Sequence, residues 1–207
     1  MSRRHVAIFT RAPVAGASKT RLIPLLGAEG AAHAQQVMTW HALEVATVLP
    51  DASVSLWCAG DVAHPFLQLC SAHFHIECVP QCDGDLGMRM ADCLQRGLLM
   101  HEQVLLMGSD CPAMTTAALE DAAGVLDEAR MVFIPAEDGG YVLVGARRSG
   151  LETGCFDVVT WGSANVMAQT RQQLLKRGWD IGKDWRELPL LWDVDTPEDF
   201  RRALTIR

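Results

Sequence analysis

The chain has 207 residues, of which 49% are apolar and 21% charged, and this predicts one globular domain over residues 1–207 with a substantial core. A formal net charge of −7 and the lack of a basic stripe argue against a nucleic-acid partner. Apolar runs far shorter than the roughly 20 residues that span a bilayer argue against a membrane protein. The sequence has no recognisable signal peptide, and its seven cysteines form no CxxC pair, so we expect a cytoplasmic protein with reduced thiols.

Six short runs of aliphatic and β-branched residues predict strands. In chain order they cover residues 5–10, 54–58, 74–79, 103–107, 131–135 and 141–145. Because these runs are apolar almost throughout, we expect strands buried on both faces, as in a mainly parallel sheet. His73 and His75 flank Phe74 at the third strand, where they are expected to share one face without further metal ligands.

Helices are predicted between the strands, where apolar residues recur with helical spacing. They cover residues 31–49, 86–100, 116–129 and 164–177. A last helix is predicted to begin at Thr196, an N-cap residue followed by Pro197 and two acids. The alternation predicts a three-layer α/β/α domain whose pattern changes around residues 130–162. In such sheets ligands bind at the carboxyl ends of the strands.

The segment after the first strand, residues 9–22, combines small residues with cations. Arg11, Lys19 and Arg21 supply positive charge, and the small residues between them let the backbone approach a phosphate closely. Walker A and dinucleotide-binding loops are excluded, because both need more glycine than the single Gly16. An ordinary surface loop with solvated cations is the alternative. We expect the loop to bind phosphate groups.

Three carboxylates lie where a metal ion could bind. Asp110 directly follows the strand at 103–107, although an Asp before Pro112 also suits a turn. If residues 191–195 are extended, Asp193 and Asp195 point to the same side. Two such charges about 4 Å apart repel by ~1 kcal/mol in water and ~4 kcal/mol at a partly screened site, and a hard cation removes that cost. An acid at Asp195 also suits the N-terminus of the following helix, but Asp193 has no such explanation.

Asp138, Gly139 and Gly140 lie between two predicted strands. Asp-Gly-Gly in that position is typical of a tight turn. The same residues could instead offer a surface of backbone donors against which a substrate lies. The sequence leaves both interpretations open.

Together these segments resemble the nucleotide-diphospho-sugar transferase superfamily, which has the GT-A type of fold. More closely, the chain resembles the bacterial DUF2064 or glycosyltransferase A-like family, distantly similar to 2-phospholactate guanylyltransferases. The resemblance implies a three-layer α/β/α GT-A-like fold with a mainly parallel mixed sheet. The matching motifs cover nearly the whole chain in order: residues 8–13 with Gly16, 19–22, Gln81 with 84–90, 108–112, 138–141, 161–162 and 193–199.

The resemblance also implies a role for matched positions. The residues around the nucleotide would be Arg11, Gly16, Lys19, Arg21, Gln81, Gly84 and Asp85, with Arg11 and Lys19 as the catalytic cations. The carboxylates that hold Mg²⁺ or Mn²⁺ would be Asp110, Asp193 and Asp195. The acceptor side would be lined by Asp138, Gly139, Gly140 and Trp161.

A transferase that uses a nucleotide and a small-molecule acceptor follows from this resemblance. Glycosyltransferases usually carry Asp-x-Asp at the end of the middle strand, whereas residues 108–110 supply one carboxylate there. We therefore expect a Mg²⁺-dependent nucleotidyltransferase that joins an NMP from an NTP to a small phosphorylated acceptor and releases pyrophosphate. A GT-A glycosyltransferase using an NDP-sugar and a non-catalytic nucleotide-binding module are the alternatives. Six Trp and nine Met leave room for a homodimer interface, although such residues more often belong to the core.

Overall fold

Seven strands and six helices are found in a computed structural model that describes residues 2–205, so positions 1, 206 and 207 of the predicted domain lie outside the described residues. The strands are β1 (Arg4–Arg11), β2 (Ala52–Ala59), β3 (Glu77–Pro80), β4 (Gln103–Gly108), β5 (Met131–Pro135), β6 (Tyr141–Arg147) and β7 (Trp185–Glu187). The helices are α1 (Ile23–Thr47), α2 (Pro65–Phe74), α3 (Leu86–Met100), α4 (Thr116–Glu128), α5 (Val166–Lys176) and α6 (Pro197–Ala203). Two short 3-10 helices cover Thr20–Leu22 and Thr153–Phe156.

The strands form a sheet in the order β3-β2-β1-β4-β6-β5-β7. β1 pairs in parallel with β2 and β4, β2 with β3, and β5 with β7. β6 is inserted between β4 and β5 and is antiparallel to both. The mainly parallel mixed sheet predicted from the sequence is therefore confirmed, and the change of pattern around residues 130–162 corresponds to β6.

The core lies on both faces of this sheet. Alternate residues of β1 show the division, because Val6 and Ile8 belong to the cluster formed with α1, α2 and α4, whereas Ala7 belongs to the cluster formed with α3 and α5. The side chains of β4 and β5 are buried almost throughout, as their apolar sequences predict. The predicted three-layer α/β/α fold is confirmed.

The strand predicted at 74–79 is wrong in its first half. α2 continues to Phe74, and His75 terminates it with a left-handed φ of 54°, so β3 begins only at Glu77. His73 therefore lies on a helix, with its ring centroid 4.7 Å from that of Trp40, and does not share a strand face with His75. α2 is not predicted from the sequence because a helix of 10 residues contains fewer than about three turns of periodicity.

The remaining helices lie where they are predicted, with shifted ends. α1 begins at residue 23 rather than 31, and Gly27, with a φ of 70°, kinks its first turns. The predicted start of the last helix is confirmed by a capping box, in which the Thr196 hydroxyl accepts from Asp199 N and Asp199 accepts from Thr196 N. In the part of the chain that the structure describes, no helix is long and apolar enough to cross a membrane.

Candidate functional site

Two adjoining cavities open at the carboxyl ends of β1 and β4. The first, of about 440 Å³, we call the cationic cavity because four basic side chains line it: Arg11, Lys19, Arg21 and Arg89. The second, of about 310 Å³, we call the acidic cavity because its lining combines three aromatic rings with three carboxylates: Phe9, Tyr141, Trp161, Asp110, Asp138 and Asp193. Among residues 2–205, no Lys, Arg or His lines the acidic cavity. Asp110 lines both cavities, so ligands held in the two would meet beside it.

The loop after β1 is closed by the side chain of Ser18. Its buried Oγ donates to the Ala12 carbonyl at 2.8 Å and accepts from Val14 N at 3.0 Å. Gly16 has a φ of 82° and open space beside its Cα, so it sets the loop conformation and is not part of the cavity lining. Arg11, at the end of β1, is exposed and lines the cationic cavity. The predicted phosphate loop therefore has a defined shape with cations on its cavity side.

Lys19 contacts carboxylates in this structure. Its Nζ donates to Asp110 Oδ2 at 2.8 Å, to Asp195 Oδ1 at 3.2 Å and to the Val194 carbonyl oxygen at 2.8 Å. Burial lowers the pKa of Lys19, but Asp110 and Asp195 together raise it above its ordinary value, so the group remains a cation. The exposed Arg21 binds the other oxygen of Asp195 at 3.1 Å. Two predicted metal ligands are thus paired with two predicted phosphate ligands.

A buried amide beneath the cavities joins the ends of β1 and β4. Gln35 Nε2, on α1, lies 3.1 Å from the hydroxyls of both Thr10 and Ser109. Because Ser109 precedes Asp110, this cluster fixes the backbone from which Asp110 projects. The Asp110 carbonyl accepts from Val194 N at 2.9 Å, which ties the Asp-x-Asp segment to the end of β4. Sequence reasoning missed Gln35, since a polar residue in the middle of a helix carries no positional signal of such a role.

Asp193 and Asp195 face different cavities. Residues 192–195 lie outside the strands of the sheet, and the two carboxylates do not share one cavity, whereas the sequence predicts a shared side for an extended segment. Asp195 lines the cationic cavity and Asp193 the acidic one. Burial, followed by the charges of Asp110, Asp138 and Asp195, raises the pKa of Asp193 to about 7. The carboxylates therefore repel one another, as the sequence suggests. Asp193 and Asp195, however, line two different cavities and do not point to the same side.

We predict that Asp193 makes the folded protein less stable as the pH rises from about 4 to about 7. A carboxyl with a raised pKa binds its proton more tightly in the folded than in the unfolded state, so its contribution to the free energy of unfolding falls over this interval and then levels off. His5, whose pKa burial lowers to about 4, has the opposite effect, so the wild type alone does not isolate Asp193. Urea unfolding of wild type and Asp193→Asn, across this range, should show the variant gaining relative stability with pH. A constant difference would contradict the assignment.

Asp138, Gly139 and Gly140 form the tight turn between β5 and β6. Asp138 Oδ1 accepts from Gly140 N at 2.8 Å, and Gly139 N donates to the Ala136 carbonyl at 3.1 Å. Both glycine N–H groups are therefore bonded within the turn, which favours the turn interpretation over a surface of free donors. Asp138 and Gly140 line the acidic cavity, whereas Gly139 packs against the backbone at Ala164.

Trp161 forms another wall of the acidic cavity. Its indole lies directly on Gly87 of α3, where an added Cβ would be 2.8 Å from Trp161 Cζ2. The rings of Tyr141 and Phe156 flank it, with centroids 6.5 Å and 6.4 Å away. These contacts hold the indole in place at the predicted acceptor side.

The predicted residues between β3 and α3 lie at separate positions. Gln81 lines the cationic cavity, with its Nε2 held at 2.9 Å by the Trp57 carbonyl. Asp85 is the N-cap of α3 and follows Gly84, whose φ is 114°; neither lines either cavity. Arg89, which lies in a matching motif but was assigned no role, lines the cationic cavity, and its Nε donates to the Gly84 carbonyl at 3.0 Å. A cation in the first turns of a helix at the ligand edge of the sheet is the signal that could have identified it.

A family model described as an uncharacterized protein conserved in bacteria (DUF2064) matches residues 42–163. No curated protein matches the sequence. Among solved structures, the chain is similar to a protein from Desulfovibrio desulfuricans G20 that is named provisionally as a nucleotide-diphospho-sugar transferase. The identity is 28%, the match covers 95% of this chain and 84% of that chain, and the TM-score is 0.85.

Two more distant structures share the fold. A cytidylyltransferase from Leptospira borgpetersenii serovar Hardjo-bovis (strain JB197) is 13% identical, with 97% of this chain and 84% of that chain covered and a TM-score of 0.61. A glucosyl-3-phosphoglycerate synthase from Mycobacterium tuberculosis, solved with Mn²⁺, UDP and glucosyl-3-phosphoglycerate, is 10% identical, with 98% and 76% covered and a TM-score of 0.57. At these identities the likeness establishes the fold, which nucleotidyl and glycosyl transferases share.

Proposed function

The chain belongs to the DUF2064 family, and from the geometry of its site we propose that it is a Mg²⁺-dependent nucleotidyltransferase. It would transfer an NMP from an NTP to a small phosphorylated acceptor and release pyrophosphate. The observation that carries this proposal is the separation of charge between two cavities that meet at Asp110. The cationic cavity suits the phosphates of a nucleotide, and the acidic cavity suits the uncharged part of an acceptor.

Four basic side chains outnumber the two carboxylates, Asp110 and Asp195, that line the same cavity, so its lining keeps a net positive charge that suits the phosphates of a nucleotide. Guanidinium and ammonium groups bind phosphate oxygens through charge-assisted hydrogen bonds. Arg11 and Arg89 line the cationic cavity from two different sides, the end of β1 and the start of α3. The volume of about 440 Å³ lies within the roughly 300–1,000 Å³ of small-molecule sites. Gln81, which lines the same cavity, is proposed to contact the nucleoside part.

The oxygen atoms beside these cations suit a hard metal ion. Asp110 Oδ2, Asp195 Oδ1 and the Val194 carbonyl converge on one positive charge, the Lys19 ammonium, at 2.8–3.2 Å. Within residues 2–205, no three side chains of His, Cys, Asp or Glu lie close enough together to form a ready metal site. An ion at the oxygens around Lys19 would therefore take further ligands from the backbone or the phosphates, and it would have to displace the ammonium. Mg²⁺ and Mn²⁺ take carboxylate and carbonyl oxygens of this kind, and Asp193 is close enough to add its charge. A bound ion would neutralise and orient the phosphates.

In the proposed reaction, a phosphate oxygen of the acceptor attacks the α-phosphorus of the NTP. A new P–O bond joins the NMP to the acceptor, while the bond from the α-phosphorus to the bridging oxygen breaks and pyrophosphate leaves with the electron pair. The acceptor is already an anion, so no protein nucleophile is needed, and the chain contributes positioning and charge neutralisation. Arg11 and Lys19 are the proposed catalytic cations, because both line the cavity in which negative charge grows on the departing pyrophosphate. The rest of the acceptor would extend along Trp161 and Asp138.

We expect pyrophosphate release when the protein is incubated with the correct NTP, Mg²⁺ and a sugar-phosphate acceptor. Thermal unfolding with each NTP, with and without Mg²⁺, identifies the base first, because a ligand stabilises the folded state by RT ln(1 + [L]/Kd). A coupled pyrophosphatase assay and ³¹P NMR then follow pyrophosphate and the new phosphoanhydride. If no NTP or NDP-sugar raises the unfolding temperature, the proposal that this protein binds a nucleotide is wrong.

A GT-A glycosyltransferase is the second candidate. It is favoured by the aromatic and carboxylate walls of the acidic cavity, which suit the apolar face and hydroxyl groups of a sugar ring. In that case the protein would release NDP from an NDP-sugar and no pyrophosphate from an NTP. Stabilisation by nucleotide without either product would instead support a non-catalytic nucleotide-binding module.

A further inference from the structure

The ammonium of Lys19 occupies the centre of the oxygen atoms that the proposed function assigns to a metal ion. It makes three short contacts, to Asp110, Asp195 and the Val194 carbonyl, and its side chain is only 10% exposed. Its backbone takes the left-handed conformation, with a φ of 44° and a ψ of 49°, which is uncommon for a residue other than glycine. The surrounding structure therefore holds Lys19 in this position at some cost in backbone conformation.

A divalent cation that bridged the same two oxygens as Lys19, Asp110 Oδ2 and Asp195 Oδ1, would have to take the place of the ammonium. Mg²⁺ needs oxygen ligands at about 2.0–2.1 Å, whereas the ammonium nitrogen already lies 2.8 Å from Asp110 Oδ2. An ion bound to that oxygen and to Asp195 would lie in contact with the ammonium and would repel it. Binding of the metal therefore requires Lys19 to leave.

A phosphate bound in the cationic cavity would be a second partner for Lys19. Lys19 lines the cationic cavity, where Arg11, Arg21 and Arg89 are also found and where the phosphates of a nucleotide would bind. A lysine ammonium on a flexible four-carbon stem can exchange a carboxylate for a phosphate with little movement of the backbone. Phosphate oxygens would therefore replace the carboxylate oxygens as the negatively charged partners of Lys19 when the carboxylates bind a metal ion.

We propose that Lys19 is an internal competitor for the metal site, and that nucleotide binding removes it, so that metal and nucleotide bind cooperatively. This inference rests on the proposed metal-assisted function and concerns its regulation. Lys19 then has two successive partners: the carboxylates before the nucleotide and metal bind, and the phosphates afterwards. Because linkage is reciprocal, the nucleotide should raise metal affinity by the same factor as the metal raises nucleotide affinity.

Mn²⁺ binding without nucleotide, measured by calorimetry and by the EPR signal of free Mn²⁺, is the first test. We expect Lys19→Met to bind Mn²⁺ about 20- to 100-fold more tightly than the wild type, within the usual range of coupling between sites. Arg21→Met is the matched control, because Arg21 also pairs with Asp195 but is 72% exposed and lies outside the group of oxygens. Loss of an exposed pair should change affinity by no more than about fivefold. Equal effects of the two substitutions, or unchanged affinity in Lys19→Met, would overturn the proposal.

The reactivity of the Lys19 amine in the wild-type protein is a second test that does not depend on folding of the variant. Acetylation by an N-hydroxysuccinimide ester is followed at the Lys19 peptide by mass spectrometry, with Lys176 and Lys183 as internal references. We expect slow labelling without metal, and labelling about tenfold faster at Mn²⁺ concentrations above the measured Kd. Labelling of Lys19 that is unaffected by bound Mn²⁺ would show that the ammonium does not leave, and the competition would be disproved.

These results separate the inference from the reaction on which it rests. If the protein releases pyrophosphate but Lys19→Met and Arg21→Met have the same Mn²⁺ affinity, the proposed function is supported and the competition between Lys19 and the metal is disproved. If Mn²⁺ exposes Lys19 to labelling but the protein releases NDP from an NDP-sugar, the competition is supported and the reaction is glycosyl transfer.

Discussion

Replacement of Asp110 by asparagine is expected to lower kcat/KM about a hundredfold to ten-thousandfold while the protein stays folded. Among residues 2–205, Asp110 is the one carboxylate that lines both cavities, and its Oδ2 is a proposed metal ligand. Loss of metal-based charge stabilisation is worth several kcal/mol, and each 1.36 kcal/mol is about tenfold in rate. Its side chain is 33% exposed, and asparagine keeps its size, so little destabilisation is expected. Initial rates of product formation and circular dichroism of the variant are the measurements.

Asp127→Asn is the matched control for this substitution. Asp127 forms ion pairs with Arg3 and a hydrogen bond from Gln103 at the start of β4, so it lies at the opposite edge of the sheet from the site. The control should retain activity within about twofold, as expected for an exposed pair. Full activity in Asp110→Asn would contradict the proposal that Asp110 binds a catalytic metal ion.

Gly139→Ala is expected to destabilise the protein by about 2–6 kcal/mol. The φ of Gly139 is 91°, a conformation that costs a residue with a Cβ about 1–3 kcal/mol, and the added methyl group would collide with the carbonyl oxygen of Ala164. Forced overpacking adds about 1–3 kcal/mol. At about 2–4 °C per kcal/mol for a domain of this size, the unfolding temperature should fall by roughly 4–24 °C. The substitution also shifts the turn that carries Asp138, so activity should fall with it.

Gly124→Ala provides the control for the same chemical change. Gly124 lies within α4, and an alanine Cβ there would have no atom within 4 Å. Alanine in a helix is more favourable than glycine by about 0.5–1 kcal/mol, so this variant should unfold at a slightly higher temperature. Similar unfolding temperatures for Gly139→Ala and the wild type would contradict the packing described for the turn.

The fold could be predicted from the sequence where local pattern and tertiary environment agree. β4 is apolar throughout and buried, and the last helix begins where Thr196 and Pro197 indicate. β7 could not be predicted, because its three residues have no periodicity and become a strand only by pairing with β5. The short α2 was missed for a related reason, since it lacks enough turns to show a pattern.

The composition of the site was more predictable than its geometry. Strand ends meet at one edge of a parallel sheet, so the cations after β1 and Asp110 after β4 were expected to be neighbours, as the structure has them. The direction of the Lys19 side chain could not be predicted. It depends on ion pairs with residues 91 and 176 positions away, which no local pattern reports. Arg89 was likewise recognisable as a motif residue but not as part of the cavity.

The position of Asp195 near the end of the sequence affects when Lys19 acquires its carboxylate partners during translation. Asp195 follows all seven described strands, and 176 residues separate it from Lys19. At about 5–20 residues per second, a ribosome adds Asp195 roughly 10–35 s after Lys19. During that time the loop after β1 carries its cations without this partner. Translation of the last segment therefore completes the pairing of Lys19 with its second carboxylate.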